Sequence, residues 1–246
     1  MKKLYILMAV LAVFAVSCKK DNGSTNNNKP DVVDPGKDNE PEEEVYVAPV
    51  TIDGDFADWA KIDDSKMCIA TCAAEAPQKG LKVLKVYKDE LFMYVYFEYD
   101  DAAIPDKSDV QCHVYFDSDN DETTGGCANQ WEPGCIEYMG EGHIFQADAP
   151  KSFNPSLSIW TGEPLAQGWD WETVLPSGSG LFTGACGNGA YEMSMALESF
   201  PQLGEVFGFG MDIQQAWSSV GILPNADITD TNPNGKSKLL TVKSAK

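Results

Sequence analysis

The chain has no arginine. All 18 of its basic residues are lysine, and they face 38 carboxylates, for a formal charge of −20. Arginine's planar fork is the usual clamp for phosphate and carboxylate. A chain this acidic also repels nucleic acid, so nucleic-acid binding is excluded. The same repulsion acts on anionic polysaccharides and leaves neutral glycans favoured among sugars. Histidine is scarce, at two residues, His113 and His143. No C-x2-C pair exists, so zinc has few ligands to draw on. HExxH, GxSxG and GxxxxGK[ST] are missing, and neither histidine lies beside a candidate nucleophile. Hydrolysis of a glycan needs only two carboxylates across a cleft, which an acidic composition does not exclude. The chain is nonetheless read as a non-enzyme. No internal repeat and no long helical period appears.

The one strongly apolar run is short and N-terminal. Lys2 and Lys3 precede Leu4 to Val16, which cannot span a bilayer but suits the core of a signal peptide at residues 1–17. The run ends Ala15-Val16-Ser17-Cys18. This resembles the lipobox of bacterial lipoproteins, and the resemblance implies acylation of Cys18, a membrane contact through lipid alone, and a place in the cell envelope, at the outer membrane, on its surface or periplasmic face. Lys19-Lys20-Asp21 resembles the charged export signals of Bacteroidetes surface lipoproteins. Residues 18–44 read as a tether. They contain Asn26-Asn27-Asn28, Pro30, Pro35, Pro41 and Glu42-Glu43-Glu44, with no aromatic residue, and such a segment cannot bury enough apolar surface to fold. As a flexible coil its ends lie about 25–30 Å apart. Losing Lys2 and Lys3 with the leader takes the formal charge from −20 to −22.

Residues 45–246 are long enough for one core and show no second linker. Short alternating segments are separated by Gly, Pro, Asn and Asp: Val45 to Ile52, Lys82 to Tyr87, Leu91 to Tyr99, Cys135 to Gln146, Leu157 to Trp160, Leu181 to Cys186, Tyr191 to Leu197, Val206 to Ile213 and Lys238 to Val242. This pattern predicts an all-β domain, an antiparallel β-sandwich of immunoglobulin or jelly-roll type. In Leu91 to Tyr99 both faces are apolar, which predicts a central strand.

The stretch Asp109 to Gly126 begins as a strand and ends as a pocket. Val110, Cys112, Val114 and Phe116 alternate with Gln111, His113 and Tyr115. Then come Asp117, Asp119, Asp121 and Glu122 with no lysine among them. Like charges this close repel, and a bound cation relieves them. Hard oxygen ligands at every second position suit calcium. Glu122 replaces the turn glycine of an EF-hand loop, and Ala128 replaces its closing acid, so the expected site is an irregular calcium loop on a β-scaffold. A solvated acidic hairpin tip is the other reading.

Beyond Cys18 six cysteines remain: Cys68, Cys72, Cys112, Cys127, Cys135 and Cys186. An even set in an exported chain suggests disulfides. Fifteen pairings are possible; Cys127 with Cys135 and Cys68 with Cys72 would close short loops and leave Cys112 and Cys186, on predicted strands, either as the third pair or as buried free thiols acting as small hydrophobes.

Asp53-Gly54-Asp55-Phe56-Ala57-Asp58-Trp59 after Ile52, with Phe56 and Trp59 one helical turn apart, resembles the opening of family 9 carbohydrate-binding modules. The strand pair ending in Asp100-Asp101, the acidic loop Tyr115 to Asp121, and Gly208-Phe209-Gly210-Met211-Asp212 follow in the order of that family. The resemblance implies a β-sandwich that binds a glycan without cleaving it. The chain departs from the family at Ser194, where a glutamate is expected; Glu192 lies on the same strand face. Pro201 is displaced as well.

Sugars offer apolar C–H faces ringed by hydroxyls, so exposed rings and neutral polar side chains make a glycan site. The candidate platforms are Trp131, Trp160, Trp169, Trp171 and Trp217, while Trp59 reads as core. Two other functions remain open: a structural or adhesion lipoprotein with envelope protein partners, and a haem domain of the related DOMON type, with iron between His113 or His143 and Met193, Met195 or Met211.

Overall fold

The computed structural model describes residues 46–104, 106–146, 149–150 and 153–244. The signal peptide, Cys18 and the tether through residue 44 lie outside the described residues.

Sixteen strands are formed among them: β1 (Cys68–Thr71), β2 (Leu81–Lys88), β3 (Phe92–Tyr99), β4 (Val110–Asp117), β5 (Gly126–Cys127), β6 (Cys135–Ile136), β7 (Tyr138–His143), β8 (Phe145–Gln146), β9 (Ala149–Pro150), β10 (Ser156–Trp160), β11 (Trp171–Leu175), β12 (Phe182–Gly187), β13 (Ala190–Ala196), β14 (Val206–Gln215), β15 (Ser218–Leu223) and β16 (Leu240–Lys243). They build a five-stranded sheet, β1-β2-β3-β13-β12, and a seven-stranded sheet, β11-β10-β7-β4-β14-β15, in which β16 pairs with the first half of β14. The two main sheets are antiparallel throughout.

The inner faces meet in one core. Met93, Val95 and Phe97 of β3 and Tyr191, Met193 and Met195 of β13 come from one sheet; Val110, Cys112, Val114 and Phe116 of β4 and Met211 and Ile213 of β14 come from the other. Burial of such side chains, at about 25 cal/mol per Å² of apolar surface, drives the two sheets together. The β-sandwich predicted from alternation is the observed fold, and β3 is central, between β2 and β13.

The outer face of the five-stranded sheet is covered too. Tyr94 and Tyr96 of β3 meet Val50, Phe56, Trp59 and Met67, with the Phe56 and Trp59 rings 5.3 and 5.5 Å from Tyr96. Phe56 and Trp59 share one face of a 3-10 helix, Phe56–Lys61, capped by Asp55. Glu192 pins the segment down. Its carboxylate is fully buried and accepts from the Asp53 and Gly54 amides (2.9 and 2.7 Å) and from Trp59 Nε1 (3.0 Å). The Asp-Gly turn is therefore held by a residue 138 positions away.

Two expectations fail. Val45 to Ile52 is no strand where it is described: Pro49 has no amide hydrogen to give a ladder, and Val50 is buried singly while Thr51 bonds to Asp58. The expected disulfides are absent as well. All six cysteines are free thiols. Cys112 lies in the core on β4, Cys186 on β12 of the other sheet, and the Cys68 and Cys72 thiols turn to the Thr241 and Ala73 carbonyls. Cys127 does stand directly opposite Cys135 across β5 and β6.

Candidate functional site

The outer face of the seven-stranded sheet carries a cleft of about 680 Å³, within the usual size of a small-ligand site. Its floor is β4 and β7, through Tyr115 and Met139. One wall is the β10–β11 hairpin with Trp160, Trp169 and Trp171. The opposite side is β14–β15, through Gln214, Ser219 and Ile222, and the loops Cys127–Gln130 and 233–236 close the ends.

Trp160 and Trp171 are direct cross-strand partners, with ring centroids 5.2 Å apart at 69°. Trp160 lies against Gly126, where a Cβ would fall 2.6 Å from the ring, so only glycine admits it. Its Nε1 donates to the Glu163 carbonyl at 3.1 Å, which fixes the ring plane. Trp169 is 68% exposed at the rim. Three of the five predicted platform rings thus meet in one cleft.

The other two do not. Trp131 is 1% exposed; Nε1 donates to the Pro224 carbonyl at 3.0 Å and the ring packs edge-on against Tyr115. It packs beside Tyr115 on the same outer face, in a space opened by Gly210, whose missing Cβ would lie 2.5 Å from the indole. Trp217 is 68% exposed at the β14–β15 turn, with Ala216 and Trp217 both at positive φ (48° and 63°), and does not line the cleft. Such turns match the twist of a hairpin but strain any residue with a side chain.

The polar lining is almost all neutral: Gln78, Asn129, Gln130, Gln167, Gln214 and Asn234, with Lys236 the one charged residue among the described lining. Sequence reasoning named the rings and none of these amides, because most of them lie in loops and carry no periodic signal. Below the lining lies a buried polar row. His113 Nε2 is 3.3 Å from Glu141, and this contact holds the Glu141 carboxyl below its usual range. Asp212, fully buried, accepts at Oδ2 from Gln130 Nε2 (2.9 Å), Gln214 Nε2 (2.8 Å) and Ser219 Oγ (2.8 Å). Burial, aided by the Asp212 charge, pushes the Tyr115 phenol far up, so it stays neutral.

The acidic loop is built differently from its sequence reading. Asp117 and Asp119 converge not with Asp121 and Glu122 but with Glu137, one oxygen from each lying within 4.8 Å of the others. Asp121 is spent on its own turn, accepting from the Thr123 amide and hydroxyl, and Glu122 pairs with Lys238 at 2.8 Å. Asp117 is 7% exposed, and its Oδ1 has no hydrogen-bond partner. Burial, then the charges of Glu137 and Asp119, push its carboxyl up to about 6. Glu137 is also raised by burial, against the hydrogen bonds from the Ser118 amide and Thr124 hydroxyl. This all-oxygen set with an orphaned buried oxygen fits a hard cation such as calcium. A lone acid in the apolar run Ile136-Glu137-Tyr138 was the available sequence signal for the third ligand.

Haem ligation finds no pair. Met193, Met195 and Met211 point into the inter-sheet core. His113 lies on the outer face against Glu141, and His143 Nδ1 meets the Val110 carbonyl at 3.0 Å.

No family profile and no curated protein matches the sequence. Among solved structures the chain is similar to a family 9 carbohydrate-binding module from Caldicellulosiruptor kristjanssonii in complex with cellotriose, at 17% identity, covering 82% of this chain and 92% of that one, with a TM-score of 0.34.

Proposed function

We propose that this chain is a non-catalytic glycan-binding module, that its ligand is a neutral oligo- or polysaccharide lying in the cleft, and that it acts from the cell envelope, anchored by lipid on Cys18. The observation that carries the reading is the Trp160–Trp171 pair in a cleft whose polar lining is almost all neutral amides. Rings held 69° apart offer C–H faces a platform without costing much side-chain entropy, and amides pair with hydroxyls in either direction. The described lining holds no Asp or Glu.

Calcium, held by Asp117, Asp119 and Glu137, completes the proposal. It would neutralise three converging carboxylates. Glu137 also accepts the Trp160 amide on its carbonyl at 2.8 Å, so the acidic loop and the ring wall share a residue.

The test uses the full-length chain with Cys18→Ser, titrated with cellohexaose, xylohexaose, mannohexaose and laminarihexaose. At least one should bind, and Trp171→Ala should weaken that binding about tenfold, the worth of one aromatic platform. Binding unchanged in Trp171→Ala would remove the cleft as the site. No binding to these or to a wider glycan array would favour a structural or adhesion role.

A further inference from the structure

We propose that Asp212 is a positioning residue that sets the hydrogen-bonding polarity of the cleft, so that its lining meets the ligand with acceptors and selects donor-rich, hydroxyl-bearing faces. The ligand class rests on the glycan reading above; the positioning does not.

All three groups that donate to Asp212 are cleft-lining side chains: Gln130, Gln214 and Ser219. Each is turned inward by that bond. An amide whose nitrogen is held against a carboxylate must carry its oxygen on the opposite branch. Gln214 therefore points Oε1 away from Asp212, and Ser219, having given its only proton, keeps lone pairs to offer. Without a charged acceptor below, both amides could flip and present N–H at little cost, and the serine could rotate. With it, flipping would set an amide oxygen against a carboxylate. Hydrogen bonds to a buried charge are stronger than neutral ones, so the orientation persists when a ligand arrives.

Asp212 is poorly served by these bonds as a structural residue. Its Oδ1 is buried and has no partner, and Gln111 Oε1 and His113 Nδ1, also buried and unpartnered, lie on the same face of the adjoining strand β4. A carboxylate kept purely for the fold would be met by backbone donors, as Glu192 is. Asp212 sits opposite His113 in register but makes no ion pair with it among the described contacts. Its donors come from β14, β15 and the loop after β5, which are the elements that converge on the cleft.

The experiment is a pair of measurements on the Cys18→Ser chain, with and without Asp212→Asn. Side-chain amide spectra report the orientation directly. Gln130 and Gln214 should show slow hydrogen exchange in the parent and fast exchange in Asp212→Asn. Titration with whichever of the four hexaoses binds best should show about tenfold weaker binding in Asp212→Asn, and about threefold in Ser219→Ala, where one of three donors is lost. The preference among the four hexaoses should flatten as well, which a general loss of stability would not produce. If Asp212→Asn fails to fold by circular dichroism, Gln214→Met carries the test: it keeps the length, removes both the donor to Asp212 and the oxygen offered to the ligand, and should weaken binding as strongly. Slow exchange retained in Asp212→Asn, or unchanged affinity and ranking in the variants, overturns the proposal while leaving the glycan reading intact. A parent that binds none of the hexaoses overturns the ligand class, and the amide spectra then decide the positioning alone.

Discussion

The two outer faces of the sandwich each hold one fully buried carboxylate with three donors, and they put it to opposite uses. Glu192 takes two backbone amides and the nitrogen of a core tryptophan. Those donors are already fixed by the chain, so the carboxylate staples a segment shut over the five-stranded sheet. Asp212 takes three mobile side-chain groups. Those donors would otherwise turn freely, so the carboxylate removes their freedom and leaves a cleft open over the seven-stranded sheet. The same chemistry closes one face and furnishes the other. What decides between them is whether the donor belongs to backbone or to side chain.

The sharpest way to break the comparison is at Glu192. Glu192→Ala leaves two amides and an indole N–H unpaired in a buried site. It should cost about 3–5 kcal/mol, read as the denaturant midpoint of unfolding, while hexaose ranking in the surviving folded fraction stays as in the parent. A change in ranking would mean that the two faces are coupled.

The acidic loop comes next. Saturating calcium at 100 times its Kd should stabilise the chain by about 2.7 kcal/mol, seen as a rise in Tm. Asp117→Asn should abolish that rise and, by removing the most buried of three converging charges, stabilise the calcium-free protein. A Tm indifferent to calcium would return the loop to a solvated hairpin tip.

The smallest effect concerns the row beside Asp212. The Glu141 carboxyl is depressed by His113. A carboxyl with a lowered folded pKa binds fewer protons folded than unfolded just below its ordinary value. Its contribution is therefore complete above about pH 4.5 and is lost as the pH falls through the folded value. His113→Gln should flatten the fall in stability below pH 4.5 by less than about 1 kcal/mol, since Glu141 is partly exposed and screened. An acid limb identical in parent and variant would show that the contact carries nothing.

Much of the sandwich was legible because alternation reports burial directly. Val110 to Phe116 points to the core wherever it is read, and its pairing partners add nothing to that. The limits came from partners distant in sequence. Glu137 joins Asp117 across twenty residues, and Gln130 joins Asp212 across eighty-two, so no local window contains either set. Tryptophan in a loop was equally ambiguous. Trp131 and Trp169 both follow polar, glycine-containing stretches, yet one is buried and the other stands in solvent. Gly210, on a strand distant in sequence, leaves the room that the Trp131 indole fills. The short strands β1, β11 and β15 went unread because neither their alternation nor their length sets them apart from turns.

β11 is an edge strand, bonded only to β10 in its sheet. The hairpin that carries all three cleft rings therefore hangs from the rim of the sheet, and its loop from 161 to 170 can change length or sequence without disturbing any inner-face residue. Glu192 and the inter-sheet core stay untouched by such changes. A lineage built on this sandwich could change what the cleft accepts by rewriting one margin of the sheet, and a designer could do the same.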